Sequence, residues 1–118
     1  MFSRTLILVL LLALFLHVML GWAGVLIAAV VGGYLLGAGG WLVSSLGVFC
    51  AWGGLILWNY VVAPREVQAM EQVVGSLLGN LPEFGVVSLS LAIGFMLGAL
   101  GGLIGTQVRL IVDQLQQR

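Results

Sequence analysis

The sequence contains no lysine, a single cysteine, two prolines and only 7% charged residues. Ordinary soluble domains carry roughly 25% charged side chains. A water-soluble fold of 118 residues could not hide a chain that is 62% hydrophobic. The four arginines are balanced by three glutamates and one aspartate, which leaves no basic footprint for nucleic acid. Cys50 has no second cysteine to pair with and cannot assemble a four-ligand metal site by itself. From Thr5 to Ala63 no formally charged residue occurs. That stretch therefore lacks the intramembrane carboxylate on which proton-coupled exchange depends.

At about 20 residues per crossing, the charge-free stretch has room for three membrane helices. Glycine-containing corners at Gly21-Trp22-Ala23-Gly24 and Gly37-Ala38-Gly39-Gly40 punctuate it. They predict helices over residues 4–20, 22–38 and 41–63. The first two are short for a full crossing, so a re-entrant pair is the alternative reading. Arg4 and the leucine-rich run after it also have the n-region and h-region of a secretory signal; we read this segment as the first membrane helix. A second charge-free run from Phe84 to Val108 predicts the last helix, over residues 84–108 and continuing to 117.

Between these runs the character changes. Pro64 can end one helix and open the next. Val67, Met70, Val74, Leu77 and Leu78 then recur at helical spacing, with Arg65, Ala69, Gln72, Ser76 and Asn80 on another face. The pattern predicts an amphipathic interfacial helix over residues 64–79, too short and too polar to span. The fold class is thus an all-α membrane protein of about four transmembrane helices, in a single domain over residues 1–118, with the amphipathic helix between the third and fourth.

Trp22, Trp41, Trp58 and Tyr60 fall at the proposed helix ends, where amphipathic rings favour the headgroup level. Arg4, Arg109 and Arg118 share one side of a four-span topology, against Arg65 with three glutamates on the other. The positive-inside rule then predicts an integral protein of a prokaryotic-type plasma membrane with both termini cytoplasmic.

Helices in lipid associate by close backbone approach, for which small residues four apart are the signature. The last helix carries Ser90, Gly94, Gly98, Gly102 and Thr106 in one ridge, the second has Gly33 and Gly37, and the third has Gly47, Ala51 and Gly54. These ten residues are the predicted helix-packing interface. The first helix offers only Ala13, so the second, third and last helices are expected to make the close contacts and the first to sit at the periphery.

Candidate chemistry is sparse. Two readings fit His17: a metal ligand to a haem or chlorophyll, or a side chain that reaches the interface or hydrogen-bonds a neighbouring backbone. Ser44 and Ser45 are expected to bond their own preceding turn, and Asn59 to cap or bridge helices. No nucleophile and base pair is present, so no enzyme activity and no cofactor are expected. The stretch Gly101-Gly102-Leu103-Ile104-Gly105-Thr106-Gln107-Val108-Arg109 resembles the GGxxGxxxR element of the dual-topology fluoride channels. The likeness covers those nine residues. The channels carry the element at the start of the chain, and their Asn-bearing second helix and Phe/Thr-rich filter segment are missing here. The small multidrug exporters are similar in size but depend on a glutamate in the first helix, where this chain has none. The leading expectation is an accessory or structural subunit that packs through glycine-rich faces against copies of itself or other membrane subunits, with lipid around it. The competing one is an oligomeric channel for a small ion or solute, lined by Ser90 and Thr106.

Overall fold

The computed structural model describes all residues, Met1 to Arg118. The chain is entirely helical, with α1 at Phe2–Leu20, α2 at Trp22–Leu36, α3 at Gly40–Val62, α4 at Pro64–Leu77 and α5 at Glu83–Gln116. It forms an elongated body of 58 × 27 × 22 Å. The three helices α1, α3 and α5 are long and apolar enough to cross a membrane. The fourth apolar helix, α2, is shorter than expected, because Gly37 turns to a φ of 69° and ends it at Leu36. Its 15 residues reach about 22 Å, against a hydrocarbon layer about 30 Å thick.

Successive apolar helices run antiparallel. The α1–α2 turn is made by Gly21 alone, whose φ of 69° suits a residue without a Cβ. Its N–H bonds back to the His17 carbonyl at 2.9 Å. The pair α2 and α3 forms the middle of the bundle: each touches both α1 and α5, while α1 and α5 do not touch each other. The first helix is therefore less peripheral than its composition suggests. Thr5, Val9 and Ala13 are buried along one stripe, and glycines on the neighbouring helices make room for them. A Cβ at Gly32 or Gly47 would collide with the Val9 side chain, and one at Gly24 with the Leu16 carbonyl.

Small residues fill the interior. Ala13, Ala28 and Ala51 meet where α1, α2 and α3 converge, and Val25, Ala29 and Val48 pack beside Trp52. Most large apolar side chains, including Leu11, Phe15, Trp58 and Leu100, point outward. This distribution is the reverse of a water-soluble core, and it is the one expected when lipid rather than water surrounds the helices.

The amphipathic helix α4 packs on α3 and α5 with three distinct sides. Glu71 and Gly75 are buried, flanked by half-buried Val67 and Val74. Arg65, Gln68, Gln72 and Ser76 form an exposed polar side. The expected apolar face is divided: Met70, Leu77 and Leu78 are 66%, 79% and 48% exposed, so only Val67 and Val74 lean on the bundle.

Candidate functional site

The glycine ridge of α5 closes the bundle from within. Gly33 of α2, Gly40 of α3 and Gly102 of α5 meet at one point where three backbones touch. A Cβ at Gly33 would run into the Gly102 carbonyl, one at Gly40 would lie 2.7 Å from the Gly33 Cα, and one at Gly102 would lie 2.5 Å from the Trp41 Cα. Higher on the same ridge, a Cβ at Gly98 would sit 2.7 Å from both the Ser44 carbonyl oxygen and the Ser45 Cα, and one at Gly94 would press on the Trp52 ring at 2.9 Å. Gly101 and Gly105 form a second row that seats α2: their Cβ positions are taken by Ala29 and by the Val30 carbonyl. The ridge is therefore occupied by the chain's own α2 and α3.

Not every predicted packing residue belongs to this seam. Gly33, Gly37, Gly47, Ala51, Gly94, Gly98 and Gly102 are buried, whereas Gly54 is exposed with open space around it. Ser90 is half-buried and donates to the Val86 carbonyl of its own helix at 3.0 Å. Thr106 crosses between helices: its hydroxyl lies 3.0 Å from the Gly37 carbonyl and 2.9 Å from that of Gly102.

Polar side chains complete what the short α2 leaves open. The last carbonyls of a helix have no partner within it. Arg109 Nη1 donates to the Leu35 carbonyl at 2.8 Å, and Thr106 reaches Gly37 just beyond. The guanidinium also places positive charge at the negative end of α2. An ion pair with Asp113 at 3.8 Å orients Arg109 along its own helix. The GGxxGxxxR stretch is thus a device of this chain for holding α5 on α2: Gly101 and Gly105 permit the approach and Arg109 finishes it. Ser44 departs from expectation, because its hydroxyl bonds across to the Ala29 carbonyl of α2 at 2.7 Å. Ser45 bonds back to Trp41 in its own preceding turn, as expected.

At the opposite end the helices stand apart. A cavity of about 320 Å³ lies between α3, α4 and α5, lined by Ile56, Asn59, Ala63, Glu66, Val67, Met70, Glu71, Val87 and Ser90. The Glu71 carboxylate accepts the Tyr60 hydroxyl at 2.5 Å. A second cavity, of about 180 Å³, adjoins it through Ile56, Asn59 and Ser90 and reaches His17 and Trp52. Those two rings pack edge to face with centroids 6.2 Å apart, and neither His17 Nδ1 nor Trp52 Nε1 has a hydrogen-bond partner. Sequence reasoning placed Glu71 simply among the acidic residues outside the spans. The available signal was its register, since Glu71 follows Val67 by one turn and shares a face with Val74 and Gly75.

Fold and site together define an all-helical chain closed on itself by a glycine seam, with three helices long and apolar enough to cross a membrane. Comparison with protein families, with curated proteins and with solved structures found no match to this chain.

Proposed function

We propose that the chain is a multi-pass membrane protein serving as an accessory or structural subunit, with α1, α2, α3 and α5 crossing, α4 lying at the outer surface and both termini cytoplasmic. The observation that carries this reading is the glycine seam: the chain satisfies its own close-packing surface and turns large apolar side chains outward along α1, α2, α3 and α5. Its partners, whether copies of itself or other subunits, then meet the outward helix faces and not the α5 ridge. The three sides of α4 suit a helix with the bundle beneath it, lipid beside Met70 and Leu77, and water over Gln68 and Gln72. Arg109 and Thr106 support counting α2 as a crossing, since they donate to the carbonyls of Leu35 and Gly37 at the end of a helix too short to reach the headgroup layer by itself. The role requires no catalytic residue and no cofactor.

A channel draws less support. Thr106 spends its hydroxyl on the carbonyls of Gly37 and Gly102, and backbone-to-backbone contact fills the seam it would have lined. Purified protein in liposomes should therefore pass no ion or small solute faster than empty vesicles. Selective flux that scales with protein content would replace the accessory reading with the channel. Topology is tested separately in a Cys50→Ser background, by single cysteines placed at Ser3, Gln68 and Gln116. Labelling from outside should reach only the cysteine at Gln68. Labelling of the two terminal positions from opposite sides would rule out four crossings.

A further inference from the structure

We infer that the paired cavities at the α4 end form a lipid-headgroup site selective for the primary ammonium of an ethanolamine-type phospholipid. The inference rests on the reading that α4 lies at the membrane surface. The first observation is a buried charge without a countercharge. Glu71 is only 7% exposed and has the Tyr60 hydroxyl as its partner, while the one ion pair of the chain, Arg109 with Asp113, is at the other end of the bundle. A buried carboxylate is costly unless a cation accompanies it. Glu71 borders a cavity of about 320 Å³ whose other walls include a second carboxylate, the exposed Glu66, beside Ile56, Val67, Met70 and Val87, within the size range of small-ligand sites, about 300–1,000 Å³.

The second observation is an orphaned donor on a residue that lines the adjoining cavity, buried behind its wall. Trp52 Nε1 carries a hydrogen and has no acceptor, and an indole N–H can only donate. Two turns of α3, about 12 Å, separate Trp52 from Tyr60, so the unmet donor lies deeper than the unmet negative charge. The complementary molecule has N–H donors on a cation at the surface, an apolar body, and oxygen acceptors further in. A phospholipid in its bilayer orientation has this order: ammonium outermost, phosphate and ester oxygens below, acyl chains last. Ethanolamine can donate N–H bonds to Glu71. Choline carries the same charge with no N–H, and so should be held less well.

The test is retention of defined lipids by the full chain in detergent micelles, read by native mass spectrometry with ethanolamine and choline phospholipids of identical acyl chains. The ethanolamine lipid should be preferred roughly tenfold or more, as expected when a charge-assisted hydrogen bond is gained. Glu71→Gln should lower the ratio by most of that factor while Glu66→Gln, at the exposed rim of the cavity, lowers it little, and Trp52→Phe should weaken both lipids alike. Should Glu71→Gln lose its helix content, Tyr60→Phe serves instead. It leaves the carboxylate without its neutral partner and should raise the ethanolamine preference, whereas a purely structural Glu71–Tyr60 contact would leave the ratio unmoved. Equal retention of the two lipids by the unaltered chain overturns the site. Displacement of the ethanolamine lipid by a simple long-chain alkylamine at equal or lower concentration overturns the lipid assignment in favour of a free amine. Because micelles impose no sidedness, failure here together with external labelling at Gln68 would sink this site and leave the topology standing.

Discussion

The two ends of the bundle are held by opposite means. Around Gly33, Gly40 and Gly102 side chains have been removed until three backbones touch, whereas around Glu71, Tyr60 and Asn59 the helices are kept apart by side chains that leave cavities between them. Lipid does not drive apolar helices together as water does, so cohesion must come from contacts that lipid cannot match. Close backbone approach supplies many small dispersion contacts and Cα–H···O contacts at the seam. At the α4 end that kind of approach is confined to Gly75 against the Leu81 carbonyl, and cavities remain between the helices.

The sharpest way to break this contrast is to put a side chain where the seam allows none. At Gly33 even a methyl group would be driven into the Gly102 carbonyl, which is backbone and cannot rotate aside. Gly33→Ala should cost about 3 kcal/mol or more, the upper end for overpacking. Gly98→Leu should be comparably damaging, since its Cβ alone would already meet Ser44 and Ser45 at 2.7 Å. Unfolding in mixed micelles followed by circular dichroism measures both. The loss should appear in the isolated chain at any protein concentration, because the contacts are within it. A loss confined to oligomeric states would mean that the ridge serves another molecule after all.

Removing the polar closure of α2 should have a smaller effect. Arg109→Ala deletes a charge-assisted bond to Leu35, but the side chain is 40% exposed and partly screened, so about 1–2 kcal/mol is expected. Thr106→Val should cost about 1 kcal/mol. Faster amide exchange at residues 37–40, with α1 unaffected, would localise the damage to the end of α2. Uniform destabilisation of every helix would contradict a local capping role.

The contrast also explains which features could be read from the sequence. The five helices lie within about two residues of their predicted bounds, because glycine and proline punctuate the chain and charge marks its ends. The packing potential of Gly94, Gly98 and Gly102 was readable from their spacing. Close contact among α2, α3 and α5 was expected from their small residues, but not that it would use up the ridge, since such a ridge looks the same whether it meets its own chain or another. The length of α2 turned on the positive φ of Gly37, one of several glycines in a row. The inward turn of Glu71 was hidden by its charge, which by itself argues for the polar side of α4. Ser44 could have bonded its own turn, and only the closeness of α2, itself a product of the glycines, offers Ala29 instead.

The smallest expected effect is at Gly54, and it tests the other side of the same distinction. This glycine belongs to the sequence pattern with Gly47 and Ala51 but is exposed, with nothing within 4 Å of where its Cβ would be. If close contact and not glycine content holds the bundle together, Gly54→Leu should change the stability of the isolated chain by less than about 0.5 kcal/mol. Glycine is a poor helix former, so a slight gain would also fit. Unfolding of Gly54→Leu beside Gly98→Leu, in the same micelles and over a range of protein-to-detergent ratios, makes the comparison. Equal behaviour of the two variants in dilute micelles would break the distinction between seam and surface. A loss for Gly54→Leu that emerges only as protein is concentrated would instead place a second copy against this face of α3, and would identify one outward surface through which the proposed subunit assembles.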